Sequence, residues 1–173
     1  MTAMPGKIQV YTGSGKGKTT AALGLALRAS GAGYNIFIGQ FIKGMKYSEL
    51  KTVADIKNIQ LEQFGRNCFI KGDPEPEDIR QARQGLERSA EILQAGNYQL
   101  VILDEATIAL KYELFDLEEL MEVINTRAAG VEVVITGRDA PEKLIATADL
   151  VTEMKEIKHY YRQGVKARRG IEN

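Results

Sequence analysis

Nine residues near the amino end constrain this chain more than any others: Thr12-Gly13-Ser14-Gly15-Lys16-Gly17-Lys18-Thr19-Thr20. A β-rich run, Ile8–Thr12 (IQVYT), precedes them, and good helix formers over residues 19–30 (TTAALGLALRAS) follow, closed by Gly31 and Gly33. Strand, glycine-rich turn and helix in that order are the setting of a phosphate loop. Glycines let backbone wrap an anion and turn its N–H groups inward, and the helix start adds the positive end of its dipole. Lys18 offers a point charge to phosphate oxygens, and the Thr19 hydroxyl a ligand for Mg²⁺ or Mn²⁺. The consensus opens with Gly where this chain has Thr12, but Gly17-Lys18-Thr19 is intact. The feature predicts a nucleoside triphosphate site.

The rest of the chain alternates strand and helix. Residues 35–42 (NIFIGQFI) read as a second strand, 48–56 as a weak helix, and Ile59–Phe64 (IQLEQF) as a strand of period two. Residues 66–76 (RNCFIKGDPEP), with Gly72, Pro74 and Pro76, form an irregular loop of a length that suits function better than simple connection. Over 77–94, Ile79, Ala82, Leu86, Ala90 and Leu93 recur at helical spacing, and Gly96-Asn97 stops the helix. Residues 100–103 (LVIL) suit a strand buried on both faces. Then come an amphipathic helix over 116–126, a strand over 131–136, a helix over 140–148 with Pro141 in its first turn, and a strand over 150–154. The pattern predicts one α/β domain across residues 1–173: a single doubly wound, mostly parallel sheet with helices on both faces. Its ligands should bind at the carboxyl ends of the strands. A basic tail follows Lys155.

Charge narrows the function. Lys+Arg and Asp+Glu are both 23, so the formal net charge is zero, which argues against a chain that coats nucleic acid or membrane through overall positive charge. The zero is a sum of unlike regions: residues 104–122 hold seven acids and one lysine, and 155–169 hold six Lys/Arg and one acid. A single cysteine, Cys68, excludes an intramolecular disulfide and gives no support to a cysteine zinc site. No apolar run approaches the roughly 20 residues of a membrane span, and the start is too short for a signal peptide, so a cytoplasmic location is expected.

Two further motifs sit at strand ends. Asp104-Glu105 follows the 100–103 strand, where carboxylates flank the phosphate loop and hold Mg²⁺ or its waters. Read alone, the pair also suits a helix cap. Thr136-Gly137-Arg138 ends the strand over 131–136, and Arg138 can reach phosphate as a forked cation, although a lone arginine is also a common surface residue. These parts define a nucleotide site without defining its reaction, since phosphate loops serve kinases, switches and recombinases alike. A small-molecule kinase and a non-catalytic nucleotide switch or recombinase-like binding module remain alternatives.

Together the motifs resemble the phosphate-loop type of ATP:corrinoid adenosyltransferase. The matching pieces are residues 11–22 (YTGSGKGKTTAA), 40–44 (QFIKG), 101–105 (VILDE), 136–138 (TGR), 148–154 (ADLVTEM), Lys158-His159 and 164–172 (GVKARRGIE), in that order along nearly the whole chain. The resemblance implies a phosphate-loop NTPase fold of the recombinase-like type. It also implies transfer of the 5′-deoxyadenosyl group of ATP to cobalt(I) of a reduced corrinoid, with inorganic triphosphate as leaving group. Cobalt(I) is itself a strong nucleophile, so no general base is required.

Carried over residue by residue, the resemblance has Gly13, Ser14, Gly15, Lys16, Gly17, Lys18, Thr19 and Thr20 wrapping the triphosphate. Thr19 and Glu105 hold the metal with Asp104 nearby, and Arg28, Arg138 and His159 reach the nucleotide. Lys18, Glu105 and Arg138 are the residues expected to carry catalysis. The loop over 65–72 (GRNCFIKG) matches the one that covers the corrinoid face, with Phe69 and Ile70 displacing the lower cobalt ligand. Tyr160-Tyr161 after Lys158-His159, and Arg168 where relatives often have Gln, depart from the family pattern. Some members carry an extra N-terminal helix over the site, which is not expected here because the first strand begins near Lys7. The resemblance further implies a homodimer and a flavin-dependent reductase as partner.

Overall fold

A computed structural model describes residues 5–45, 47–67, 70 and 72–172. Its elements run β1 (Ile8–Thr12), α1 (Lys18–Gly31), β2 (Ile36–Phe41), α2 (Ser48–Ala54), β3 (Ile59–Phe64), α3 (Pro76–Ala95), β4 (Leu100–Asp104), α4 (Ala106–Lys111), α5 (Leu117–Asn125), β5 (Glu132–Thr136), α6 (Glu142–Thr147) and β6 (Leu150–Glu153), then a 3₁₀ turn at Tyr160–Gln163. The six strands form one sheet in the order β3-β2-β4-β5-β1-β6, and every pairing is parallel. The doubly wound α/β class read from the sequence is what forms, with a wholly parallel sheet. No helix among the described residues is long and apolar enough to cross a membrane.

The period-two pleat sorts the central strands between two cores. Ile36 and Ile38 of β2, Leu100 and Ile102 of β4, and Val134 of β5 face Ala22 and Ala26 of α1 and Val53 of α2. Phe37 and Phe41, Val101 and Leu103, and Val133 and Ile135 point the other way, toward Leu86 and Leu93 of α3, Leu120 and Ile124 of α5 and Leu144 of α6. Burial on both faces explains the apolar runs over residues 36–38 of β2 and 100–103 of β4. Edge strand β6 differs: all four of its residues are exposed.

Several boundaries differ from the sequence reading. Helix α4 was not expected: it starts one residue after β4 and is six residues long, too short to show a period. Helix α2 stops at Ala54, and α3 starts at Pro76, inside the stretch read as loop. Pro141 is the N-cap of α6, one position before the first turn. Cys68 and Phe69 lie outside the described residues.

Two close approaches fix how the elements seat. A Cβ on Gly85 of α3 would stand 2.5 Å from Cγ of Phe64, whose ring packs 5.8 Å from that of Phe41. The loops after β2 and β3 meet backbone to backbone: a Cβ on Gly44 would lie 2.0 Å from the Gly65 carbonyl oxygen, and one on Gly65 2.5 Å from the Ile42 carbonyl carbon. Arg66 then grips buried Asp78 at the start of α3 through two bonds, of 2.7 and 2.8 Å.

Gly85→Ala tests the α3–β3 seat. Intrinsic propensity favours Ala by about 1 kcal/mol, but the methyl group meets the fixed base of the Phe64 ring, and overpacking of this kind costs about 1–3 kcal/mol. A net loss of stability is expected in urea unfolding, with recovery when Phe64→Leu is added.

Candidate active site

The phosphate loop leaves β1 at Thr12 and enters α1 at Lys18, and its shape is set from outside by the end of β6. Gly13 and Gly17 have φ values of 100° and 116°, which favour glycine. A Cβ on Gly13 or Gly15 would stand 2.4 or 2.7 Å from the Met154 carbonyl oxygen. The Gly15 N–H donates to that oxygen at 2.6 Å. This N–H therefore braces the loop instead of pointing at an anion. The Lys18 ammonium donates to the carbonyls of Gly13 (2.7 Å) and Gly15 (2.9 Å) and fastens the loop from within. Burial lowers the Lys18 pKa, with Glu105 opposing the shift.

Lys16 has a different task. Its ammonium reaches the Glu172 carboxylate (2.9 Å), the Ile171 carbonyl (2.9 Å) and the Tyr160 hydroxyl (3.2 Å). Arg168 bonds the same carboxylate and lies 4.9 Å from the Tyr160 ring centroid. Arg168, Lys16 and Tyr160 together hold the Glu172 carboxyl far below its ordinary pKa. The basic tail is thus latched to the phosphate loop.

At the sheet centre, Asp104 closes β4 with 1% of its side chain exposed. Its Oδ1 accepts from the hydroxyls of Thr19 (2.9 Å) and Thr136 (2.7 Å), and its Oδ2 from Gln40 Nε2 (3.1 Å) and Lys43 Nζ (2.7 Å). Lys43 also donates to Thr19 Oγ1 at 3.2 Å. Burial works against the Lys43 ammonium, but the charge of Asp104 and its direct hydrogen bond outweigh that, so the pKa is raised.

Glu105 follows with φ 60°, an unusual conformation for a non-glycine residue, and its N–H donates to Thr136 Oγ1 at 3.0 Å. Its carboxyl pKa is raised, chiefly by burial and next by the Asp104 charge, against the pull of Lys43, Lys18 and Arg138. Arg138 is aimed by Thr107, whose hydroxyl donates to the Arg138 carbonyl at 2.7 Å. Gly137 makes this approach possible, since a Cβ there would fall 2.1 Å from Thr107 Oγ1.

These groups border one open cavity of about 1620 Å³. Ser14, Gly15, Lys16, Gly17, Lys18, Thr19, Thr20, Glu105, Arg138, His159 and Ile70 line it, as do Lys43, Tyr47, Tyr112 and, from the tail, Glu156, Tyr161, Arg162, Ala167 and residues 169–172. The volume exceeds the roughly 300–1,000 Å³ of a usual small-molecule site. His159 is half-buried, and its Nδ1 accepts from the Tyr161 N–H at 3.1 Å. Ile70 packs against the apolar core at the cavity wall. Gly13 and Asp104 stand behind the lining. Arg28 is not brought together with the rest: it is exposed on the last turn of α1, ten residues from Lys18 or about 15 Å along the helix.

Among the described residues no three His, Cys, Asp or Glu side chains gather as a metal site. A cation placed here would draw on a smaller oxygen set, Thr19, Glu105 and Asp104. That set fits Mg²⁺, which commonly takes one or two carboxylates together with substrate phosphates. Gln40, Lys43 and Thr107 were not singled out from the sequence as site residues, and Thr136 entered only as the first residue of the motif that carries Arg138. The signal for Lys43 and Gln40 lay in the QFIKG stretch, but their role depends on β2 lying beside β4, which sequence order does not reveal.

A phosphate loop after β1, an acid pair at the end of β4 and one strand, β5, between them define a phosphate-loop NTPase-like protein. Residues 4–173 match the family model described as ATP:corrinoid adenosyltransferase BtuR/CobO/CobP. The chain is 36% identical to a corrinoid adenosyltransferase of Sinorhizobium sp, covering 96% of this chain and 80% of that protein. It is 34% identical to one of Pseudomonas aeruginosa (96% and 83%) and 33% identical to one of Escherichia coli K12 (96% and 85%). The chain belongs to the ATP:corrinoid adenosyltransferase family.

The raised Glu105 pKa has a consequence for stability. A carboxyl whose folded pKa lies above its unfolded value stabilises the fold when protonated and loses that advantage as pH rises from the unfolded value through the folded one. With an ordinary value of 4.5, the unfolding free energy of the parent should fall relative to Glu105→Gln as pH rises above that value. Urea titrations across that rise measure the gap, and a gap that stays constant or moves the other way contradicts the assignment.

Proposed function

We propose that this protein transfers the 5′-deoxyadenosyl group of ATP to cobalt(I) of a reduced corrinoid. In this reading the cobalt electron pair forms the bond to C5′, the C5′–O bond breaks, and its electrons leave with inorganic triphosphate. The observation that carries the reading is the meeting of Lys18, Arg138 and Glu105 with Thr19 at one roomy cavity that Ile70 and Tyr112 also line.

The chain's own groups account for the leaving-group side. The start of α1 presents its N–H groups and dipole to phosphate. Lys18, held by two loop carbonyls, is placed to exchange them for phosphate oxygens. Arg138 adds a charge that no protonation change removes. Fixed charges aimed at a developing anion typically contribute a factor of about 10²–10³ each. Thr19, Glu105 and Asp104 are the residues that would hold Mg²⁺ or its waters. When bound, the ion neutralises charge on the triphosphate. His159, with Nδ1 engaged by the Tyr161 N–H, suits a chemistry that needs no general base.

Ile70, and Phe69 beside it in sequence, are proposed for the corrinoid side. A homodimer would find an uncovered strand edge at β6, where Leu150 and Val151 are 44% and 40% exposed. A flavin-dependent reductase and a cytoplasmic setting complete the proposal.

Incubation without oxygen with ATP, Mg²⁺ and chemically reduced cobalamin should yield a light-sensitive cobalt–carbon product and triphosphate in equal amounts. ADP formed independently of corrinoid would instead establish the kinase reading. Lys18→Ala should lower kcat/KM for ATP by about 10²–10³, measured by the same assay.

A further inference from the structure

The position between Thr19 Oγ1 and Asp104 Oδ2, where the proposed metal would engage the protein, already holds a cation. The Lys43 ammonium lies 3.2 Å from the first oxygen and 2.7 Å from the second. Three features make this a built arrangement. The Lys43 side chain is 15% exposed and Asp104 1%. Ile42, just before it, is held at φ 59°, a strained conformation for a β-branched residue, and its N–H donates to the Phe64 carbonyl at 3.0 Å. Gly44, just after it, is pressed against Gly65. The backbone carrying Lys43 is thereby fixed on both sides, and the freedom that remains is rotation of its long side chain. That side chain borders the cavity, with Nζ 5.6 Å from the Tyr47 ring centroid.

We propose that Lys43 is a positioning residue that makes divalent-metal binding conditional on nucleotide. Its ammonium must leave Thr19 and Asp104 before a divalent cation can engage those oxygens, and the triphosphate supplies its new partner. The proposal rests on the metal position argued above. The physical reason is exclusion: an ammonium and a divalent cation cannot share the same two oxygens, because like charges in contact repel strongly. A metal ion arriving alone must displace Lys43 from a buried carboxylate into a cavity that also holds Lys18 and Arg138. A metal ion arriving with the triphosphate brings the anion to which Lys43 can turn. Metal and nucleotide then strengthen each other's binding by the same factor, as linkage requires.

The test uses Mn²⁺ as probe, with free Mn²⁺ followed by its electron paramagnetic resonance signal and no corrinoid present. For the parent protein, ATP should tighten Mn²⁺ binding by about tenfold or more, within the usual range of coupling between sites. Lys43→Met keeps the length of the stem and removes the charge. It should bind Mn²⁺ without ATP about tenfold or more tightly than the parent, so that ATP adds less. Structural damage does not produce a gain in metal affinity. Asp104 keeps three donors in this variant, and Lys43→Gln, which supplies a neutral donor, provides a second reading should Lys43→Met fold poorly. Equal Mn²⁺ affinity for the parent with and without ATP, or no gain in either variant, would overturn the proposal while leaving the adenosyl-transfer reading intact. If Mn²⁺ fails to bind the parent even with ATP, or binds Thr19→Ala with ATP as tightly as the parent, the metal position itself is wrong and this proposal falls with it.

Discussion

The carboxylate of Asp104 is the point on which the rest of the site depends. A buried, charged group is tolerated only when its oxygens are satisfied. Here the four donors come from four places: Thr19 on α1, Gln40 on β2, Lys43 beyond β2 and Thr136 on β5. One side chain therefore ties the first turn of the phosphate-loop helix to three neighbouring strands. Thr136 extends the tie, because the hydroxyl that donates to Asp104 accepts the Glu105 N–H. Gln63 on β3 extends it the other way by donating to Gln40. The alignment of phosphate loop, acid pair and Arg138 follows from a single network whose members cannot shift independently.

Around that network the backbone is bent at three strand ends. Ile42 after β2, Glu105 after β4 and Asp139 after β5 all have positive φ without being glycine. Such conformations persist only where the surroundings enforce them, and they gather at functional sites. Here the enforcement comes from a sheet packed on both faces, with central-strand residues such as Ile38, Ile102 and Val133 wholly buried. The carboxyl edge spends some of that stability on pointing side chains into the cavity. Glu105 shows this most clearly: the fold desolvates it and sets it beside another carboxylate, which favours its neutral form, and three cations oppose that shift without cancelling it.

The parts legible in the sequence are those whose physics is local. The phosphate loop is a contiguous string, and runs such as residues 100–103 announce strands buried on both faces. The parts that escaped depend on neighbours distant in sequence. Lys43 gains its role only because β2 pairs with β4, opposite Asp104. The bracing of Gly15 by Met154 requires β6 to fold back beside β1. Lys16 belongs to the phosphate motif by position, yet its ammonium is engaged by Glu172, 156 residues away. Helix α4 was hidden by its length. Arg28, expected at the nucleotide by resemblance, is carried by the geometry of α1 to the end opposite the loop. Of the two residues proposed for the corrinoid side, Ile70 lines the cavity, and Phe69 lies outside the described residues.

The contact between Gly44 and Gly65 carries a consequence for how such a chain can vary. The two glycines are separated by a helix and a strand, yet a side chain on Gly44 would need the space of the Gly65–Arg66 backbone, and one on Gly65 that of the Ile42–Lys43 backbone. A methyl group at either position has only main chain in front of it, which cannot rotate aside as a side chain would. Neither loop is then free to drift alone. A change that enlarged one of these residues would have to rebuild the path of the other loop as well, so the segment carrying Lys43 and the segment that follows β3 are constrained together.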